Sequence, residues 1–269
     1  MCPHGARLLT GEGGLLASAK LVCHCLLIEG AEGLVLIDTG FGLDDVRRGR
    51  QLGVVFNALT RPQLLSDETA IVQLRALGFE PADVRHIVTT HLDLDHAGGL
   101  PDFPQAEVHL LGPELAAALH PSLRERMRYV AAHWAHGPRW VQHAPEGETW
   151  MGFESVRALP DSDDEILLVP LPGHTRGHTG VAIRQGDSWL LHCGDAYFHR
   201  GEVQTPAYCP PGVSVFGTLD QVDGAARREN RERLRELAER HGDQVELICS
   251  HDAHTLERYS ERAAPTPLS

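Results

Sequence analysis

The stretch TTHLDLDHAGGL, residues 89–100, follows directly on a short apolar run, VRHIVTT (84–90). It places His91, Asp93, Asp95 and His96 within six residues, ahead of two glycines. An apolar run of this length bounded by turn residues reads as a buried strand, so the four polar side chains are delivered at a strand end into a tight loop. Imidazole and carboxylate groups are the donors that hold divalent metal ions. Four of them in six residues is a denser set than a turn or a cap requires.

Working outward, strand-length apolar runs alternate with amphipathic segments along the whole chain. LVCHCLLIEG (21–30) and GLVLIDTG (33–40) read as a hairpin of strands. SDETAIVQLRALGF (66–79) predicts a helix with Ser66 as N-cap and Gly78 near its stop. AEVHLLG (106–112) is a further strand, and a long helical region is expected from Pro113 to about His136. FESVRALP, EILLVPL, TGVAIRQ and SWLLHCG are strands of the second half. A charged helix over 219–242, closed by Gly242, and a last strand, QVELICS, follow. Such alternation means an α/β protein. No low-complexity linker divides it, so a single domain over 1–269 is expected, built of similar halves (about 1–155 and 156–260) with a disordered tail at about 261–269.

Composition narrows the function classes. A formal net charge of −13 argues against nucleic acid and against anionic membrane surfaces. No apolar run approaches the ~20 residues of a membrane-spanning helix. The N-terminus lacks the basic and apolar segments of a signal peptide, so a cytoplasmic protein is expected. Six scattered cysteines suit reduced thiols. Cys23 and Cys25 in VCHCLL read as neighbours on one strand face rather than as metal ligands. Histidine is the anomaly: there are 17, against 7 Phe, 4 Tyr and 4 Trp.

Polar residues recur at strand ends: Asp38 in LIDTG, the 91–96 cluster, His174 in PLPGHTRGHTG, Asp195 in HCGDAY and His251 in ICSHDAH. Taken singly, each is an ordinary turn or capping residue. Delivered to one edge of a sheet, together they build a site. This ordered set, spread over residues from about 20 to about 255, resembles the metallo-β-lactamase fold hydrolases. Their signature is an early Asp, then His-x-His-x-Asp-His, a His, an Asp and a final His.

The resemblance implies a four-layer αβ/βα sandwich, with two mixed sheets flanked by helices and the site at one end of the sheets. It implies two divalent metal ions. His91, Asp93 and His174 would hold one, and Asp95, His96 and His251 the other. Asp195 would bridge both, and Asp38 would fix the cluster loop from behind. His178 and His254 are rival candidates to His174 and His251, and the family's spacing favours the latter two. Two such ions would share a hydroxide that attacks the substrate and would polarise its carbonyl.

Where the family has its second histidine, this chain has Asp93. Asp93 is read here as a true ligand. The alternatives are a carboxylate too short to hold its ion and a plain turn residue. As a ligand it would make the site more neutral and oxygen-rich. Zinc is the first expectation, and Mn or Fe gain from the extra carboxylate.

The quorum-quenching lactonase branch is the nearest resemblance, because an acidic chain with a bridging Asp and a short C-terminal extension does not fit the RNA-processing, antibiotic-hydrolysing or glyoxalase II branches. It implies hydrolysis of a lactone or carboxylic ester, a small-molecule substrate, and Asp95 protonating the leaving alkoxide. Tyr197, in GDAYF, is either the donor that polarises the carbonyl or a residue packed beneath the site. The segment 128–153, with three tryptophans and three histidines, is expected to wall the substrate pocket. A flavodiiron-like di-iron redox enzyme, whose cluster also carries a carboxylate second, is the alternative within enzymes. A metal-binding sensor without turnover is the alternative outside them.

Overall fold

In the computed structural model, residues 1–30, 32–159 and 165–263 are described, with side chains up to Ser260. The first sheet joins β1 (Leu26–Gly30), β2 (Gly33–Ile37), β3 (Val84–Val88), β4 (Glu107–Leu111) and β5 (Arg139–His143) in that order. β1 and β2 are the antiparallel hairpin, and β2 to β5 run parallel. The second sheet comprises β6 (Glu148–Trp150), β7 (Phe153–Arg157), β8 (Ile166–Pro170), β9 (Thr179–Gln185), β10 (Ser188–His192) and β11 (Val245–Ile248). Its spatial order is β11-β10-β9-β8-β7-β6, antiparallel except for the β10–β11 pair.

Alternation along β2 shows how the layers form. Val35 and Ile37 point to one face and meet Val88, Leu111, Leu168, Val181 and Ile183 between the two sheets. Leu34 and Leu36 point to the other face, towards Ile71 and Leu74 of the helix Ala70–Ala76 and Leu115 of the helix Gly112–Leu119. Outside the second sheet, Leu167, Val169, Ala182 and Leu191 pack on Leu234 and Leu237 of the helix Gly224–His241. Helix, sheet, sheet and helix are therefore stacked, each sheet burying both faces. Burial of one such leucine contributes roughly 1.5–3 kcal/mol, so the three cores dominate the stability of the scaffold.

Several expected boundaries shift. The helix in 66–79 begins with a 3₁₀ turn, Ser66–Glu68, and the α-helix starts only at Ala70. Thr69, not Ser66, takes the extended N-cap backbone, and its hydroxyl donates to the Ser66 carbonyl at 2.6 Å. That local bond competes with a helical turn there. The expected long helix from Pro113 stops at Leu119, because His120 precedes Pro121 and is pushed out of the helical region. Short 3₁₀ turns at Glu125–Met127 and Ala131–Trp134 replace the remainder. The charged helix starts at Gly224, where the Asp223 carboxylate accepts from the backbone N–H of Ala225 and Ala226. A last helix runs Ala253–Ala263, and the rest of the expected tail, 264–269, lies outside the described residues.

Candidate metal centre

The ends of β2 and β3 bring two loops together. Asp38, just beyond β2, has φ of 53°, a left-handed backbone that strains a residue bearing a Cβ. That turn aims its carboxylate at the cluster loop. Oδ1 accepts from the Thr90 backbone N–H and Oδ2 from the Thr90 hydroxyl, both at 2.7 Å. The two loops lie so close that a Cβ on Gly98 would sit 2.3 Å from an Asp45 carboxylate oxygen, which explains the glycine there.

Hydrogen bonds at the backs of the imidazoles set their orientation. His251 Nδ1 lies 2.6 Å from the Val22 carbonyl, which can only accept, so Nδ1 carries the proton and Nε2 faces the cluster. His96 Nδ1 lies 2.9 Å from Asp38 Oδ2. His91 Nδ1 lies 2.9 Å from the Thr90 hydroxyl, which already donates to Asp38. In each ring the far nitrogen is held by an oxygen and Nε2 is left pointing inward, the usual arrangement of ligating histidines.

These nitrogens converge on Asp195. Its Oδ1 is 3.5 Å from His96 Nε2, and its Oδ2 is 3.1 Å from His251 Nε2, 3.6 Å from His174 Nε2 and 4.0 Å from His91 Nε2. Asp95 Oδ2 lies 3.7 Å from His251 Nε2, and Asp93 Oδ2 lies 3.0 Å from His174 Nε2 and 3.6 Å from His91 Nε2. One carboxylate thus lies within 4.0 Å of the imidazoles of His91 and His174, which Asp93 joins, and of His96 and His251, the latter bordered by Asp95.

The chemistry of this donor set fits metal ions. His91 Nε2, His96 Nε2, Asp93 Oδ1 and Asp195 Oδ1 are buried without a hydrogen-bond partner, a cost of about 1–3 kcal/mol for each group if nothing binds there. The field of the site favours positive charge where those atoms meet. Burial works against charge on His96, yet Asp195 and Asp38 outweigh it and hold its pKa well above the usual range. His251 is raised in the same way by Asp195. Burial likewise opposes ionisation of Asp195, and His251 and His96 overcome it to hold its carboxyl well below the usual range. A divalent cation would take the place of the protons these imidazoles attract.

The structure brings all seven expected ligands, His91, Asp93, Asp95, His96, His174, Asp195 and His251, into this cluster. It also separates the rival histidines. His178 donates from Nδ1 to the Leu171 carbonyl, and its Nε2 accepts from the Asp195 backbone N–H at 2.9 Å, so both nitrogens are engaged in holding the Asp195 loop. His254 is exposed. Tyr197 is not placed to polarise a substrate. Its ring is 1 % exposed within the second core and its hydroxyl meets the Cys193 thiol. The next residue, Phe198, turns to the site instead, with its ring centroid 5.8 Å from those of His174 and His251. Moving one position along the chain thus exchanges a hydroxyl for an apolar ring at the site.

The tryptophans of 128–153 do not wall a pocket. Trp134 and Trp140 pack on the first core, and Trp150 is buried in the second against Trp189. The cleft beside the cluster, of about 280 Å³, is lined instead by the N-terminal segment, including Leu9 and Leu21, and by Phe198, Arg200 and His251.

Two further residues had no signal in the sequence pattern. Arg128 enters the site from the segment after the broken helix. Its Nη1 donates to Asp93 Oδ2 at 2.5 Å, and its Nη2 donates to the Asp220 carbonyl and carboxylate at 2.8 and 3.0 Å. Glu114, fully buried, accepts from the Leu92 backbone N–H and the Tyr129 hydroxyl on one oxygen, and from the Thr175 hydroxyl and Gly177 backbone N–H on the other. It therefore ties the loop of His91 to the loop of His174. Cys23, expected to lie in a strand away from any ion, precedes β1 and places Sγ 3.7 Å from Asp95 Oδ2.

Known proteins are similar to this chain over most of its length. The profile of the metallo-beta-lactamase superfamily matches residues 19–243. A probable metallo-hydrolase of Mycobacterium tuberculosis is 46% identical over 86% of this chain and 75% of its own length. An N-acyl homoserine lactonase of Azorhizobium caulinodans is 28% identical over 93% of this chain and 88% of its own. Among solved structures, a B. thuringiensis lactonase variant with N-decanoyl-L-homoserine at its active site superposes with a TM-score of 0.70. It is 21% identical, over 96% of this chain and 92% of that one.

Proposed function

Because the chain belongs to the metallo-β-lactamase superfamily and is a metal-dependent hydrolase, we propose that it opens a lactone or cleaves a carboxylic ester at a dinuclear centre. The observation that carries the dinuclear reading is the Asp195 carboxylate, whose oxygens lie within 4.0 Å of imidazoles from both ligand sets. The lactone reading draws on the N-acyl homoserine lactonases among its relatives. Bound divalent ions would supply an acidified water and a Lewis acid for the carbonyl oxygen.

The protein's own residues do the rest. His91, Asp93 and His174 would hold one ion and Asp95, His96 and His251 the other, with Asp195 shared by the two sets of side chains. Asp95, 8 % exposed and bordered by His251, stands where a leaving alkoxide would take its proton. Phe198 offers an apolar face over the reacting group, and the neighbouring cleft takes the acyl portion. Tyr197, packed in the second core, is left out of carbonyl polarisation, which bound ions would supply.

Asp93 acquires a counter-charge in this reading. Three ligand carboxylates alone would make the centre more neutral than the usual histidine pattern. The Arg128 guanidinium on Asp93 Oδ2 returns one positive charge and leaves Oδ1 free for the ion. That removes the electrostatic reason to prefer Mn or Fe, and zinc is the ion proposed. The test is kcat/KM for an N-acyl homoserine lactone, an aryl ester and a phosphodiester, using metal-loaded protein. Turnover of lactone or ester that disappears in His96→Ala is expected. Cleavage of the phosphodiester alone would refute the substrate class.

A further inference from the structure

Histidine is in excess here, and the metal centre uses only part of it. Three other histidines stand side by side on adjacent strands of the first sheet, His86 on β3, His109 on β4 and His143 at the end of β5. The strand register brings them together: His86 is opposite Glu107, Val88 opposite His109, and Leu111 opposite His143. All three therefore share the face that Val88 and Leu111 turn towards the second sheet. His86 lies five residues before His91, or about 16 Å along an extended chain, so the His86–Glu107 pair is set back along the strands from the metal centre.

The atoms are arranged for coordination. His86 Nδ1 is 3.0 Å from His109 Nε2 and 3.6 Å from Glu107 Oε2, and one donor atom from each of the three residues lies within 4.8 Å of the others. Donors at 2.0–2.1 Å from one ion are about 2.9 Å apart at right angles and about 3.4 Å apart at the tetrahedral angle. The His86–His109 separation of 3.0 Å lies between those values, and the His86–Glu107 separation of 3.6 Å is slightly longer than the tetrahedral one. On its far side, His109 Nδ1 meets His143 Nε2 at 3.2 Å, and the Ala158 backbone also holds the ring. Support of this kind fixes a ligating imidazole. Burial keeps His109 neutral, with its pKa lowered to about 3, and it lowers His86 and His143 too, so each ring keeps one unprotonated nitrogen that can take a cation. His109 is buried, but the side chains of His86 and Glu107 are 19% and 37% exposed, which gives an ion a way in and leaves further positions for water.

We propose that His86, Glu107 and His109 form a second, separate site for a first-row divalent cation such as zinc, with His143 supporting His109. Two imidazoles and one carboxylate are a sufficient donor set for such an ion. Bound there, it would clamp β3 to β4 and stabilise the sheet that carries the catalytic loop.

The experiment counts zinc per chain by elemental analysis after metal-free protein is dialysed against buffered zinc. It compares the unsubstituted protein with His86→Ala, Glu107→Gln and the exposed control His120→Ala. The expected result is one zinc equivalent fewer in His86→Ala and in Glu107→Gln, none lost in His120→Ala, and hydrolytic kcat/KM within about twofold in all four. Equal zinc in all four proteins would overturn the proposal, and so would a loss in His120→Ala as large as that in His86→Ala. Because the readout is a difference between variants, it does not depend on how many ions the catalytic centre holds.

Discussion

Replacing Arg128 with Met removes the guanidinium that holds Asp93 in the absence of metal. The pair is well shielded, with side chains 11% and 9% exposed and a 2.5 Å contact, and the same guanidinium also binds Asp220. Breaking a buried pair from one side costs roughly 3–5 kcal/mol, because the remaining carboxylate stays buried and unpaired. In chelator-treated protein, Arg128→Met should therefore lower unfolding stability by about that amount, or Tm by roughly 6–15 °C for a domain of this size. Asp93→His restores the family's usual residue and removes the orphaned charge. The double variant Asp93→His/Arg128→Met should then be more stable than the sum of the single changes by at least ~1 kcal/mol, measured by urea denaturation as a double-mutant cycle. Zinc should also rescue Arg128→Met more than the unsubstituted protein, since the ion supplies the missing positive charge. Additivity within ~0.5 kcal/mol would show that Arg128 and Asp93 are not a unit, and the charge argument for zinc would fall with it.

Other residues give sharper single tests. Glu114→Gln replaces one accepting oxygen with an NH₂ that faces donors; a loss of about 2–3 kcal/mol in stability and weaker zinc binding are expected, and zinc affinity unchanged would show that tying the two loops together does not matter to the site. Tyr197→Phe should leave kcat within about threefold, because its hydroxyl meets the Cys193 thiol in the core; a loss of a hundredfold or more would restore it as the carbonyl polariser. Burial depresses the pKa of His109 to about 3, so in metal-free protein its contribution to stability is complete above the unfolded value near 6.5 and is lost as pH falls towards 3. Lowering the pH from 6.5 to 5 should cost roughly 2 kcal/mol through this residue, at about 1.4 kcal/mol per pH unit, and His109→Gln should flatten that slope in urea titrations.

The parts of this protein that were legible in its sequence are those written locally. Strand-end delivery of Asp38, His91, His96, His174, Asp195 and His251 is a property of short segments, so periodicity and spacing expose it. Arg128 and Glu114 were not visible, because their partners are at least 35 and 15 residues away and nothing near them in the chain marks the contact. The two readings of Tyr197 could not be separated for a related reason: whether residue 197 or 198 faces the site depends on how the loop leaves β10, not on its composition. The tryptophans of 128–153 read as a pocket wall because they cluster between the two halves, but that segment lies against the two cores and its tryptophans pack there. The long helix expected from Pro113 failed on a local cue that was present, Pro121.

The central claim is a two-ion centre shared through Asp195, and zinc content tests it most directly. The measurement is best made in the His86→Ala background, so that the proposed second site does not contribute. Two zinc equivalents per chain, with hydrolysis of lactone or ester appearing as they load and both falling in His96→Ala, is the predicted result. A single equivalent at full activity would contradict the account, because Asp93 and His174 would then hold nothing and the Arg128 pair would be a structural salt bridge alone.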